Sequence, residues 1–376
     1  MATKLMPGFR KTVETFTARA RTLPQHYLVS PQIFALEQER IFSRQWLCVG
    51  HLCQIANAGD YFLAEAVGES VIILRDLHGE VHGFFNVCRH RGTRLCEEKM
   101  GRLHGTLQCP YHAWTYSLDG KLVGAPHMES DGDFDKARNS LHPVSLGLWE
   151  GFIFVNLATD PPPLQSVFEP LAGKFTHWNL TRLKSAGRIQ YDVKANWKLI
   201  FENYSECYHC PLVHPELSKL SPYDAAENDL VEGPFLGGFM PINRGNSLTK
   251  SGNACAMPVG DIKAEDHRRV FYYSIFPNML LSLHPDYVMV HQVWPQSPER
   301  VLIFCDWFFH PEAFGKPDFN PEDAIQFWDL TNRQDWRVCE LSQHGIRSRA
   351  YQPGHYSPRE SIPAAWDREY LRVIGE

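Results

Sequence analysis

Residues 88–92 read CRHRG and residues 109–114 read CPYHAW, and these two stretches decide the fold. Each supplies one cysteine and one histidine: C-x-H at Cys88 and His90, an 18-residue gap, then C-x2-H at Cys109 and His112. Two thiolates and two imidazoles can hold a [2Fe-2S] cluster with both His on one iron and both Cys on the other, a centre that passes one electron at a time. A structural zinc site accepts the same donors, but zinc fingers group Cys with Cys and His with His, whereas here each stretch carries one of each. Turn residues follow both pairs, Arg91-Gly92 after the first and Ala113-Trp114 after the second.

Outward from the loops, YFLAEA from Tyr61, VIILRD from Val71 and VHGFFNV from Val81 are short β segments punctuated by Gly68, His78 and Gly79. The β region is expected to span residues 46–158, with TDPPP at 159–163 as its boundary. Before it, SPQIFALEQERIFSRQW at 30–46 predicts a helix with Ser30 as N-cap and Pro31 in the first turn. Residues 1–45 are therefore assigned as the N-terminal helical part of a larger domain that resumes at 159–376. That domain is expected to hold a strand at 188–193 and a helix from Asn196 to about Cys210. Four strands near 271–276, 279–284, 287–294 and 301–309 follow, then a helix capped by Asn320 and running to about His344. The fold class is α+β, a small all-β module embedded in a larger α+β domain.

Composition removes several functions. With 37 Lys+Arg against 43 Asp+Glu and no basic block, the chain is not expected to bind nucleic acid. Its longest apolar runs fall far short of a membrane span of about 18 residues. Met1–Leu23 has no apolar core leading to a cleavage site, so a cytoplasmic address is expected. Ten cysteines in 376 residues are too sparse for a disulfide scaffold, so the Cys and His spacings point to metal.

A second constellation lies in NWKLIFENYSECYHCPLVH at 196–214. His209 and His214 are five residues apart, roughly 140° on an ideal helix, and share a face only if the helix ends between them. Pro211 and Pro215 supply that break. Two His and one carboxylate on one face of Fe(II) is the arrangement of O2-activating non-haem iron enzymes. A lone His pair is ordinarily packing or surface, a reading that loses weight beside the first constellation. Cys207 and Cys210 have no second Cys pair nearby and read as buried thiols.

CRHRG followed by CPYHAW resembles the cluster loops of the Rieske non-haem iron oxygenases, and the resemblance runs from the helix at Phe34 to the closing YQPGHYSPRESIPAAW. It implies a small all-β Rieske [2Fe-2S] domain joined to a catalytic domain with a curved antiparallel sheet gripping a long helix. It also implies a head-to-tail homotrimer, in which the cluster of one subunit serves the iron of its neighbour. In TNRQDWRVCELSQHG it points to Asp335 as the third ligand of mononuclear Fe(II), beside His209 and His214; Asp329 and Glu340 are competitors on the same helix.

Glu206 stands where most of the family has an Asp that bridges a cluster His and an iron His. A Glu within ENYSECYHC is similar to the branch acting on quaternary ammonium compounds. Asn203 and Tyr208 fit places beside the iron ligands, and Tyr208 equally suits the core.

No C-x4-C-x2-C and no G-x-G-x-x-G opening a βαβ unit is present, so no flavin or nicotinamide reductase is fused to this chain; the resemblance implies that a separate NAD(P)H-dependent flavin/[2Fe-2S] reductase supplies the electrons. The expected function is the terminal oxygenase of such a system, using O2 to hydroxylate a small molecule, an N-methylated quaternary ammonium compound. Tyr204, Tyr208, Tyr272, Tyr273 and Tyr287 offer faces for a cation, although a sheet-and-helix core uses aromatics in any case. The alternatives are an aromatic ring-hydroxylating dioxygenase and, from another class, an electron carrier or zinc-stabilised binding protein.

Overall fold

The computed structural model describes residues 8–128 and 132–375. The chain divides into two compact units: Phe42–Glu169, and the chain up to Ile41 combined with the chain from Pro170 onward. These seams differ from the expected 45/46 and 158/159. TDPPP does not end the first unit because Trp46 Nε1 donates to Pro162 O at 2.9 Å, and Leu164 packs so closely on Gly147 that a Cβ there would meet it at 2.6 Å. Of the stretch Met1–Leu23 read as lacking a secretory signal, residues 1–7 lie outside those described.

The Phe42–Glu169 unit is built of short antiparallel sheets. One has the order Val81–Phe85, Glu69–Arg75, Asp60–Ala66, Met100–Arg102; a second pairs Thr106–Gln108, Thr115–Ser117 and Leu122–Gly124; a third pairs Ser145–Trp149, Phe152–Asn156 and Leu47–His51. Between the first two lies a core that includes Ile72, Phe84, Leu107, Trp114 and Tyr116. Period-2 alternation puts one face of each strand into it. The turn after Glu69–Arg75 is closed by Asp76, whose Oδ1 accepts from the N–H of His78 at 2.8 Å and of Glu80 at 2.9 Å.

In the other unit, among the described residues, eight strands form one antiparallel sheet. Its order is Arg10–Lys11, Glu227–Leu230, Phe235–Pro241, Arg269–Ile275, Met279–Leu283, Val288–Ser297, Arg300–Phe309, Lys184–Val193. The long helix Pro321–Ile346 packs on this sheet. Glu322 and Asp323 in its first turn suit the helix dipole; Asn320 precedes it, but its side chain makes no capping bond. Trp328, Thr331, Asn332, Asp335 and Trp336 recur every three to four residues, so they share one face, and all five line the same cavity.

The other helices depart from expectation in length. Pro31–Glu37, with Ser30 Oγ accepting from Ile33 N at 3.4 Å, gives way to a π turn at Gln38–Phe42. The helix from Asn196 is Trp197–Tyr204 and stops short of Cys210, because residues 205–209 leave helical geometry around the Glu206 side chain. The C-terminal helix Ser361–Ile374 holds it in place, with Trp366 stacked on Phe201 at 5.1 Å.

Candidate active site

The two Cys-His loops share one backbone device. In the first, Gly92 N donates to Cys88 O at 3.0 Å with Gly92 at φ +73°; in the second, Ala113 N donates to Cys109 O at 3.1 Å with Ala113 at φ +57°. The turn curls each loop back over its cysteine, and the left-handed position explains Gly in the first loop. Cys88 and Cys109 are buried, whereas His90 and His112 are exposed. The two imidazoles pack at 4.8 Å between ring centroids, and Trp114 stacks on His90 at 4.9 Å. Tyr116 hydroxyl touches Cys88 Sγ at 3.3 Å and accepts from Arg89 N at 3.0 Å. Burial pushes the Cys88 thiol up, so a thiolate here calls for a bound cation. Two buried thiols and two imidazoles at the rim fit the donor set of a [2Fe-2S] cluster, which these four residues would hold.

His209 ends the 205–209 loop and starts the short helix Cys210–Val213; His214 sits at φ −124°, ψ 70° between it and Pro215–Leu220. The break expected from the prolines therefore turns both rings inward. His214 Nε2 lies 2.8 Å from Asp335 Oδ1, and His209 Nε2 lies 3.2 Å from both that oxygen and His214 Nε2. The outer nitrogens are engaged too: His209 Nδ1 bonds Glu206 Oε1, and His214 Nδ1 bonds Gln334 Oε1 at 2.8 Å. Acceptors on Nδ1 fix the tautomer that offers Nε2 to a metal. Burial opposes a charged His209, but Asp335 and Glu206 raise it to about 10. A pocket that gathers this much negative charge around converging donors suits a cation. The competitors are committed elsewhere: Asp329 accepts from Tyr191 hydroxyl at 2.9 Å and Arg333 at 3.0 Å, and Glu340 accepts from Lys194 N at 3.1 Å.

Comparison with known proteins agrees with this geometry. Residues 180–376 match the ring hydroxylating alpha subunit (catalytic domain) family, and residues 45–144 match the Rieske [2Fe-2S] domain. The chain belongs to the ring-hydroxylating oxygenase alpha subunits. It is 33% identical over 372 residues to the glycine betaine monooxygenase oxygenase subunit of Chromohalobacter salexigens, covering 89% of this chain and 82% of the relative. It is 35% identical over 354 residues to the carnitine monooxygenase oxygenase subunit of Acinetobacter baumannii, covering 92% and 91%. Among solved structures, a quaternary ammonium Rieske monooxygenase studied for carnitine oxidation and inter-subunit electron transfer superposes with TM-score 0.83 at 26% identity, over 98% of this chain and 100% of the other. The oxygenase thus carries a Rieske [2Fe-2S] cluster and a mononuclear iron, and works with O2, a substrate and a reductase. Among the described residues no helix is long and apolar enough to cross a membrane.

His209, His214 and Asp335 open on a cavity of about 220 Å³ whose walls include Asn203, Tyr204, Tyr272 and Trp328. Tyr204 and Tyr272 meet edge to face at 6.0 Å, and Tyr272 and Trp328 at 6.4 Å. Three of the five tyrosines read as faces for a cation lie elsewhere. Tyr273, one residue along the strand from Tyr272, points to the opposite face and donates to Asp229 at 3.1 Å. Tyr287 is tied to Leu248 O, and Tyr208 is 54% exposed, neither in the core nor packed beside the iron ligands. Cys207 and Cys210 are joined as a disulfide across the ligand loop instead of standing as separate thiols, because the turn at 205–209 brings their Cα atoms to 5.0 Å. Reading the sequence did not find Gln334, which orients His214, or Asn86, whose Oδ1 accepts from Leu95 N and Cys96 N at 2.9 Å to pin the first cluster loop. A buried amide two residues before Cys88 leaves no spacing signal.

Proposed function

We propose that this chain is the terminal oxygenase of a multicomponent system that hydroxylates an N-methylated quaternary ammonium compound, leading to oxidative demethylation or other C–N cleavage. The observation that carries the reading is the group Tyr204, Tyr272 and Trp328, whose rings line the same cavity as His209, His214 and Asp335. Trimethylammonium is held by ring faces through cation-π attraction, worth about 2 kcal/mol or more when desolvated. Burial pushes the Tyr204 and Tyr272 hydroxyls far up, so these rings stay neutral. Burial pulls His291, in the same wall, down to about 4, so it adds no repelling charge. Arg359 also lines the cavity and can meet the carboxylate of a betaine.

In this reading Cys88, His90, Cys109 and His112 hold the cluster, and His209, His214 and Asp335 hold the iron, which supplies O2 activation. Glu206 and Gln334 keep the two imidazoles aimed, and Asn203 lines the approach. The cytoplasmic enzyme works as a homotrimer in which Glu206 links His209 to a cluster histidine of the neighbouring subunit. A separate NAD(P)H-dependent flavin/[2Fe-2S] reductase feeds the cluster. The names of the relatives, glycine betaine and carnitine monooxygenase oxygenase subunits, support the substrate class. Substrate-stimulated O2 uptake across quaternary amines and aromatic acids tests the proposal: betaines or carnitine should stimulate uptake and release formaldehyde or an aldehyde. Stimulation by aromatic acids alone would make the chain an aromatic hydroxylase.

A further inference from the structure

A chain of hydrogen bonds fixes which nitrogen of His291, in the wall of the cavity, carries the proton. It starts at Asp329, which accepts from Arg333 Nε at 3.0 Å and from Tyr191 hydroxyl at 2.9 Å. Tyr191 has one hydroxyl proton and gives it to Asp329, so its oxygen accepts from Asn332 Nδ2 at 3.3 Å. That turns Asn332 Oδ1, the acceptor end of the amide, towards His291 Nε2 at 3.2 Å. The reversed amide would set Asn332 Oδ1 against the Tyr191 oxygen with no proton between them. His291 therefore carries its proton on Nε2, and its Nδ1 is a bare lone pair. Burial keeps the ring neutral. His291 is 1% exposed, and its Nδ1 is buried without a partner.

A second unpartnered group stands beside it. Trp336, on the long helix, meets His291 edge to face at 6.0 Å, lines the same cavity, and keeps a buried Nε1–H that finds no acceptor. An indole N–H can only donate, and a bare imidazole nitrogen can only accept. Each is costly to bury unpaired. A hydroxyl satisfies both at once, accepting from the indole and donating to the imidazole; a carboxylate has no proton to donate, and a trimethylammonium group offers neither. On the other side His291 meets Tyr204 edge to face at 6.1 Å, and the Tyr204 hydroxyl is already paired with Ser282 Oγ at 2.8 Å. The unpartnered pair thus adjoins the rings assigned above to the ammonium.

We propose that His291 Nδ1 and Trp336 Nε1 bind a hydroxyl of the substrate, which makes His291 a specificity-determining residue and the preferred substrate a quaternary ammonium compound with a hydroxyl close to its ammonium group. The proposal rests on the quaternary ammonium reading and narrows it. The other charged groups in the cavity wall do not compete for that hydroxyl proton. His209, His214 and Asp335 are bonded to one another, and Glu206 is bonded to His209. Lys11 and Arg359 are donors only, and the Arg359 guanidinium lies over the Tyr223 ring at 5.2 Å. Asp224 is exposed and keeps its water.

Two pairs of compounds that differ only in a hydroxyl test this: L-carnitine with γ-butyrobetaine, and choline with ethyltrimethylammonium. Calorimetric titration of the purified oxygenase without reductase reads binding in the absence of turnover. In the wild type the hydroxylated member of at least one pair should bind about 10-fold more tightly than its partner, the span of one or two net hydrogen bonds. His291→Phe keeps a ring in place but removes the acceptor, and should bring the members to within about 2-fold by weakening only the hydroxylated one. Trp336→Phe removes the donor alone and should leave a preference of about 3-fold. A general loss of packing would weaken both members alike and leave their ratio unchanged. Equal affinities in the wild type overturn the proposal, since water rather than substrate would then serve Nδ1, and so does a full preference in His291→Phe. Should His291→Phe lose iron, Trp336→Phe decides, and an undiminished preference there overturns the hydroxyl site. Binding of all four compounds without preference would spare the quaternary ammonium reading, whereas binding of none would remove that reading and the proposal together.

Discussion

In the proposed reading, the cluster loops and the iron site would hold metal by opposite means. Each cluster loop is complete within a few residues, a cysteine and a histidine curled over one left-handed position, at Gly92 or Ala113. The iron site gathers His214 and Asp335 from 121 residues apart, and its rings are aimed by groups that bind no metal. A site made of local turns depends on backbone geometry, whereas a site assembled from a loop between short helices and a long helix depends on side-chain acceptors and on helix phase. The two should therefore fail separately and in different ways.

The largest effect is expected at the cluster. His112→Cys replaces an imidazole by a thiolate and should alter or abolish the rhombic EPR signal and remove turnover, while iron at the second site remains; loss of both metals would make the two sites one folding unit. Next comes Glu206→Gln, which exchanges one acceptor oxygen for an NH2 donor. Both metals should stay, but turnover should drop about 10²-fold, with the reduced cluster slow to reoxidise in stopped-flow absorbance. Glu206→Asp should be intermediate because it keeps both oxygens but shortens the reach. Wild-type reoxidation in Glu206→Gln would reduce Glu206 to a loop-capping carboxylate.

A smaller change should follow Gln334→Leu, which takes the acceptor from His214 Nδ1. Iron affinity should fall about 10- to 100-fold with an unchanged cluster, measured by competition with a chelator. The smallest effect lies away from both centres. Arg347 holds the Glu299 carboxyl below its ordinary value. A depressed acid stabilises the fold above its unfolded pKa of about 4.3 and loses that contribution as pH falls through the depressed folded value. Arg347→Gln should therefore cost less than about 1 kcal/mol near neutral pH in urea unfolding, and nothing in strong acid.

The same contrast governs what could be read before the structure. The meeting of the two loops that carry Cys88, His90, Cys109 and His112 was legible because their spacing is itself the geometry. His209 and His214 were legible because Pro211 and Pro215 break the helix where convergence demands it. Asp335 needed the family resemblance: its helix carries Asp329 and Glu340 as well, and the choice depends on which face meets the sheet. Gln334, Asn86 and the Cys207–Cys210 bond depend on how loops close, which no periodicity records. The strands Glu227–Leu230 and Phe235–Pro241 were missed because Gly233, Gly237 and Gly238 interrupt the apolar alternation. The helix Ser361–Ile374 was missed because Pro363 stands in its first turn and the charged Asp367 and Glu369 are buried among its apolar residues, so residue type does not track burial.

Metal content and EPR of Asp335→Ala beside the wild type test the central claim most directly. Two separate centres predict that the variant keeps the full rhombic cluster signal and the cluster iron, loses the one remaining iron atom per chain, and has no substrate-stimulated O2 uptake. Retention of all the iron with normal turnover would contradict the assignment and return the third ligand to Asp329 or Glu340, against the bonds that already occupy both.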